Sequence, residues 1–380
     1  MHNVVPKYEE SKMRCTSKMK YLPILLLLII LSLFINNSCI MAETSPIKQQ
    51  WYLNNTGDTS AIKSSIDYKD YMTMKSGVDI KYSLLQSLLS AHSTTNRICI
   101  AILDTGVDFN HQALREKMWV PSGQVIKNFN GNYIIDSTSG KAIPKTDSIV
   151  NNPHGTMCAG IIVGNDNKNG FTGIASTRDV KIMSIDIMDN NPDTYEGNIE
   201  DLILAIKFAE RNSAKICNIS SSTYTYNKKL EHIMRKSKML FVVSAGNRGG
   251  IGINIDKLPV YPAAFGLPNI ISVANLSYNG DLYIHSNYGH DKVDLAAPGT
   301  CIYTTTANNG YDYYTGTSMA APMVTATAAI LFTYNKNLSA ADVKNIIINT
   351  VDHRDSLFGK VKSGGSLNSY KAVDYLLNSN

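Results

Sequence analysis

The feature that most narrows the folds open to this chain is the apolar run Ile98-Cys99-Ile100-Ala101-Ile102-Leu103, which stops abruptly at Asp104-Thr105-Gly106. An apolar run without alternation suits a strand buried on both faces, and such strands belong to parallel sheets covered by helices. The pattern recurs downstream. Strands are expected at 180–187, 215–219, 239–243, 270–274 and 293–295. Helices are expected at 154–163, 198–211 and 227–238. In the second of these, Ile199, Leu202, Ile203, Ile206 and Ala209 share one stripe. Ile80, Leu84, Leu85, Leu88 and Leu89 fall at helical spacing ahead of the first strand. After the last strand come an apolar helix from Met319 to Phe332, with Pro322 in its first turn, and a helix opened by a capping-box pattern, Ser339 and Asp342. A final helix is expected at 369–377. Strands alternating with helices define an α/β class: a mostly parallel central sheet with helices on both faces, in three layers α/β/α. Residues 121–153 read as loop with a hairpin around Asn130-Gly131-Asn132, and residues 164–173 as a Gly- and Asn-rich loop. The segment before Ser318 reads as a Gly- and Tyr-rich loop.

At 380 residues, 44% hydrophobic and 18% charged, the chain has ample material for a buried core. Its net charge of +5 gives no nucleic-acid footprint, because the first 20 residues carry five basic and two acidic side chains and so account for three of the five charges. Residues 21–35 are almost wholly apolar and follow Lys18 and Lys20. That is the length of a secretory signal and short for a membrane span. Residues 1–42 are therefore expected to be a signal peptide cleaved near Ala42 or an N-terminal membrane anchor, with a lipid anchor on Cys39 as a third reading. Met13 and Met19 are alternative starts. Every reading places the body outside the cytoplasm, secreted or at the cell surface, with membrane contact only through an uncleaved leader. A polar linker at 43–49 leads into the body at 50–380, which opens on Gln50-Trp51-Tyr52-Leu53 and is expected to be a monomer. Of six Cys, Cys15 and Cys39 belong to the leader. Cys99, Cys158, Cys217 and Cys301 lack C-x-x-C spacing and sit in apolar contexts, which points to free buried thiols and away from zinc.

Four polar residues stand at the ends of these elements. Asp104 and Asn247 follow expected strands, while His154 and Ser318 open expected helices. Each alone has a plain reading: a turn or cap for Asp104, a helix start for His154, a left-handed turn for Asn247, an N-cap for Ser318. Together they carry a different implication. Open α/β sheets build sites beyond the carboxyl ends of their strands, so the fold itself would bring the four to one edge. The residue types suit acyl transfer. A serine hydroxyl needs a base, an imidazole can take and return its proton, and a carboxylate can fix the imidazole's tautomer. The Asn247 amide and the Ser318 N–H can donate to an oxyanion.

The segments Ala101-Ile102-Leu103-Asp104-Thr105-Gly106-Val107-Asp108, His154-Gly155-Thr156-Met157-Cys158-Ala159-Gly160, Ser244-Ala245-Gly246-Asn247 and Gly316-Thr317-Ser318-Met319-Ala320-Ala321-Pro322 closely resemble the signature blocks of subtilisin-like serine proteases. Asp, His and Ser also follow one another in that family's order. The resemblance covers the chain from about Gln50 onward and implies a subtilisin-like fold. It implies that Asp104 orients, His154 is general base and acid, Ser318 is the nucleophile and Asn247 helps form the oxyanion hole, with no cofactor for catalysis. It implies a peptide or protein substrate held in extended form along Asn218-Ile219-Ser220-Ser221-Ser222. Family members usually carry Ser-Leu-Gly there, so Ser221 and Ser222 depart. Val260 stands where the family has a small residue at the floor of its main specificity pocket, which would favour small residues before the cut. The loop holding Asp166, Asn167 and Asn169 matches the position of the family's tight calcium loop, yet Ala113 replaces that site's usual Asp. Residues 43–49 are too short for the usual prodomain, which suits a narrow processing protease. The alternative is a non-catalytic surface binding protein of the same fold. An α/β-hydrolase esterase is disfavoured by the residue order and by the lack of a G-x-S-x-G turn at Ser318.

Overall fold

The run at 98–103 forms an interior strand, and the sheet is built outward from it. The computed structural model describes residues 48–60, 62, 73–121, 132–136, 139–145, 152–188 and 197–379, all within the unit Thr44–Asn380. The expected signal or anchor at 1–42 and residues 43–47 of the linker lie outside them. In chain order the elements are α1 (Tyr82–Ala91), β1 (Ile98–Asp104), a hairpin of β2 (Asn132–Asp136) and β3 (Lys141–Pro144), and α2 (His154–Val163). A small ribbon of β4 (Asn165–Asp166) and β5 (Phe171–Thr172) is followed by β6 (Val180–Asp186), α3 (Ile199–Arg211), β7 (Ile216–Ile219), α4 (Lys228–Lys236) and β8 (Leu240–Ser244). Next come β9 (Ile270–Leu276), β10 (Leu295–Pro298), a hairpin of β11 (Ile302–Thr306) and β12 (Gly310–Tyr314), and α5 (Thr317–Tyr334). The chain closes with α6 (Ala340–Asn349), β13 (Asp352–His353), β14 (Gly365–Ser366) and α7 (Ser369–Asn378).

The ten-stranded sheet runs β13-β14-β10-β9-β8-β7-β1-β6-β2-β3. Every pairing from β14 to β2 is parallel, and only the two edge pairings are antiparallel. Strands β7, β8 and β9 are buried at every residue, as continuous apolar runs require. Helices α2 and α5 pack on each other and on the sheet, while α3 packs against β1, β2 and β3 with α4 beside it. This is the three-layer α/β/α class read from the sequence. Local capping chemistry sets the helix starts. The Asn198 and Asn227 side chains accept from the Glu200 and Leu230 amides, and Ser339 with Asp342 forms the full capping box. Gln50-Trp51-Tyr52-Leu53 is part of the packed fold. Trp51, Tyr52 and Leu53 are fully buried, and the Trp51 indole N–H donates to the Thr300 and Cys301 carbonyls, each at 3.0 Å.

Several boundaries differ from expectation. Asn130 and Gly131, where a hairpin is expected, lie outside the described residues; the described hairpin pairs β2 with β3, and Gly140, with φ 65°, lies in its connection. Leu84 is turned outward from its helix, 53% exposed. The strand expected at 293–295 starts only at Leu295. The Gly- and Tyr-rich loop is largely the β11–β12 hairpin. Pro322 is not in the first turn of its helix but is the sixth residue of α5, so the helix lacks the N–H that would serve the Ser318 carbonyl. Among the described residues α5 is also the one helix long and apolar enough to cross a membrane, yet 89% of it is buried in the fold, as a core helix should be.

Candidate active site

β1 delivers Asp104 to the carboxyl edge of the sheet, and α2 begins with His154 directly above it. His154 Nδ1 lies 2.7 Å from Asp104 Oδ1, which also accepts the Thr105 N–H at 2.8 Å. Asp104 is 1% exposed. Two details of sequence allow the approach. Gly106 takes a left-handed φ of 85°, and a Cβ on Gly155 would meet the Gly106 carbonyl at 2.2 Å, so only glycine lets α2 sit on this turn. The start of α2 is capped from outside. Asn152 Oδ1 accepts the His154 N–H and Thr105 Oγ1 accepts the Gly155 N–H. The imidazole is thus free of capping duty and spends its Nδ1 on the carboxylate. Burial by itself lowers the His154 pKa. The charge of Asp104 and the hydrogen bond to it outweigh that, and the imidazolium is held above its usual range.

Ser318 is the second residue of α5, where backbone N–H groups have no intrahelical acceptor. Its hydroxyl donates to the Ser220 carbonyl at 3.2 Å. Asn247 lies just past β8, and its Oδ1 accepts the Thr317 N–H at 3.0 Å. Because that N–H can only donate, the bond fixes the amide with its NH₂ turned the other way. A Cβ built on Gly316 would stand 3.4 Å from Asn247 Nδ2 and 3.7 Å from the Ser318 nitrogen. Two donors therefore border one small space kept open by a glycine. The structure brings Asp104 and His154 into contact and sets Ser318, Asn247 and Ser220 around the adjacent ends of β7 and β8.

A model of the subtilase family matches residues 95–370. The chain belongs to the subtilase family. Members of that family are serine endopeptidases, and their catalysis needs no cofactor. Subtilisin-like protease 1 of Plasmodium vivax is 28% identical over 380 residues, covering 91% of this chain and 58% of its own length. Subtilisin-like protease 2 of Plasmodium falciparum (isolate 3D7) is 31% identical over 262 residues, 66% of this chain and 18% of its own length. This chain thus spans less than two thirds of those relatives. Thermitase of Thermoactinomyces vulgaris is 32% identical over 280 residues, 73% of this chain and 88% of its own. The crystal structure of a cold adapted subtilisin-like serine proteinase superposes with a TM-score of 0.57 at 22% identity, over 72% of this chain and 88% of that one, a likeness of fold.

In this subtilase the edge beyond β7 carries Ser220, Ser221 and Ser222, and the pairing resumes at Thr223, which exchanges both backbone hydrogen bonds with Tyr261 at 2.9 and 2.8 Å. Val260 is 1% exposed. A Cβ on Gly246 would stand 3.3 Å from Ser222 Oγ and 3.5 Å from Val260 Cγ1, so both side chains border the space over that glycine. Ser221 and Ser222 also line a mostly apolar cavity with Ile187, Ile199, Leu202, Leu230 and Tyr261. Tyr226 meets Tyr261 edge-on, ring centroids 5.5 Å apart, and is half exposed. Sequence reading missed this aromatic wall, although Tyr224-Thr225-Tyr226 directly after a strand end was a signal for it.

The expected calcium loop does not fit a cation. Asp166 Oδ2 accepts from Gln112 Nε2, Asn169 Nδ2 and the Tyr311 hydroxyl at 2.7, 2.8 and 2.6 Å, and its Oδ1 faces the Lys168 and Asn169 amides. Donors thus fill the carboxylate's lone pairs, and Asn169 turns its NH₂ inward where a cation needs oxygen; Asn167 is exposed. Asp166→Asn is expected to destabilise the fold by about 1–3 kcal/mol, by stranding these donors. Urea melts should show the same loss with calcium and with chelator, and a loss seen only in calcium would restore the cation. Asp104, His154 and Cys158 also place three donor atoms within 4.8 Å of one another. Burial, then the nearby Asp104, holds the Cys158 thiol well above its usual range. The four body cysteines are free thiols, as the sequence implied.

Proposed function

We propose that this chain is an exported serine endopeptidase of narrow specificity, working through an acyl-enzyme with Ser318 as nucleophile, His154 as general base and acid, and Asp104 as its orienting carboxylate. The observation that carries the reading is the 2.7 Å pair of His154 Nδ1 with the buried Asp104 Oδ1. With the Nδ1 proton committed to Asp104, the lone pair of Nε2 is left to accept the Ser318 proton. The oxygen then attacks the substrate carbonyl. The oxyanion accepts from the Ser318 N–H and Asn247 Nδ2, and the C–N bond breaks as His154 returns the proton to the leaving amine. Water, activated by the same imidazole, hydrolyses the Ser318 ester. Export rests on the apolar leader at 21–35.

The substrate lies extended along Ser220, Ser221 and Ser222. Ser222 and Val260 narrow the space over Gly246, which supports a small residue before the cut. The apolar cavity past Ser221 favours an apolar side chain further upstream. A fluorophosphonate probe tests the chemistry: the label should map to Ser318, and absence of labelling, or a label elsewhere, would overturn the reading. A peptide-library cleavage profile tests the pocket. Glycine, alanine and serine are expected before the cut, and Val260→Gly should admit larger residues. Large or charged residues there in the parent enzyme would refute the role given to Val260.

A further inference from the structure

Pro322 creates a problem that the chain must solve beside its nucleophile. Without the Pro322 N–H, the Ser318 carbonyl has no helical partner, and a buried orphan carbonyl is costly. The Ser220 hydroxyl reaches it at 3.3 Å, with the Cys158 thiol at 3.6 Å. Ser220 therefore holds Ser318 at two points, since its own carbonyl accepts the Ser318 hydroxyl.

The Ser220 hydroxyl is itself held. Asn218 Nδ2 donates to it at 3.1 Å, and Thr325 Oγ1 donates to Asn218 Oδ1 at 2.8 Å, which fixes the amide's orientation. The placement follows from elementary periodicity. Asn218 and Ser220 are two residues apart on an extended segment and so face the same side. Ser318 and Thr325 are seven residues apart, two turns along one face of α5. Strand end and helix are thus stapled at two levels by side chains that are almost fully buried; Asn218 and Thr325 are each 0% exposed. Donors and acceptors match along the chain, because each hydroxyl gives its one proton forward.

We propose that Asn218 and Thr325 are positioning residues for Ser318, acting through the Ser220 hydroxyl to fix the nucleophile against the strand end. The proposal rests on the reading of Ser318 as nucleophile. The Thr325→Val change removes the hydroxyl while keeping the shape. It should lower kcat about tenfold, leave KM for a short chromogenic peptide unchanged, and slow fluorophosphonate labelling by the same factor. Thr325→Ser keeps the hydroxyl and should restore both rates to within about twofold of the parent. If Thr325→Val does not fold, Ser220→Ala breaks the same chain at its last bond and should show the same slowed labelling. A Thr325→Val enzyme that labels at the parent rate would overturn the proposal, as would a Thr325→Ser enzyme as slow as the valine form, since packing would then be the cause. Parent enzyme that labels at Ser318 beside an unaffected Thr325→Val sinks the positioning role alone. Parent enzyme with no label at Ser318 sinks the nucleophile as well.

Discussion

Ser318→Ala is expected to abolish peptide hydrolysis while leaving the fold intact. In subtilisin itself, loss of the nucleophile costs about 2 × 10⁶ in kcat, and that figure sets the scale expected for this relative. The physical reason is local. On the proposed mechanism the hydroxyl supplies the covalent step, and its ground-state hydrogen bond goes to the Ser220 carbonyl at 3.2 Å, so its removal strands one acceptor. Stability should change by about 1 kcal/mol, the worth of one such bond. Turnover of a chromogenic peptide and a urea melt on the same preparation measure both effects. Hydrolysis above about one per cent of the parent rate would show that the acyl-enzyme does not form on Ser318.

Asp104→Asn is the second large expectation. The carboxylate only accepts, so it forces the proton onto His154 Nδ1. A carboxamide can turn its NH₂ toward that nitrogen, moving the proton to Nε2, where the base's lone pair is needed. The same exchange in a serine protease of unrelated fold costs about 10⁴ in kcat. The pH profile adds a signed test. In the parent, the imidazolium is held above its ordinary pKa of about 6.5 by Asp104, against the opposing effect of burial. The base is lost as pH falls through that raised value, so kcat/KM should begin to fall on the alkaline side of about 6.5. In Asp104→Asn the raising charge is gone and burial remains, so the acid limb should move to lower pH. An acid limb that stays in place would mean that Asp104 does not set the imidazole's protonation.

What the sequence revealed and what it withheld follow from different physics. Strand β1 and helix α2 were legible because their signals are local: an unbroken apolar run, and an apolar segment opened by His154-Gly155. The edge position of Asp104, His154, Asn247 and Ser318 was legible because element ends in a parallel sheet collect on one side. The β11–β12 hairpin was not. Its second strand, Gly310–Tyr314, is only part buried and has no apolar stripe of its own. It is held by others, with Thr304 and Thr305 donating to the Met157 and Thr156 carbonyls and Tyr311 to Asp166. The position of Pro322 within α5 was hidden for a related reason. Where that helix starts is decided by Asn247 and Gly246, some seventy residues away, which engage Thr317. At the Asp166 loop residue types alone could not show which atom an amide presents, and Asn169 turns its nitrogen to the carboxylate.

The β11–β12 ribbon grips helix α2 through Thr304 and Thr305, and its far end runs straight into Thr315, which accepts the Cys301 N–H at 2.9 Å, and on to Gly316 and Ser318. One ribbon outside the sheet therefore spans from the helix that carries His154 to the turn that delivers Ser318. It braces the proposed base against the proposed nucleophile. The ribbon is thus a second tie between the two helix starts, beside the direct packing of α2 on α5.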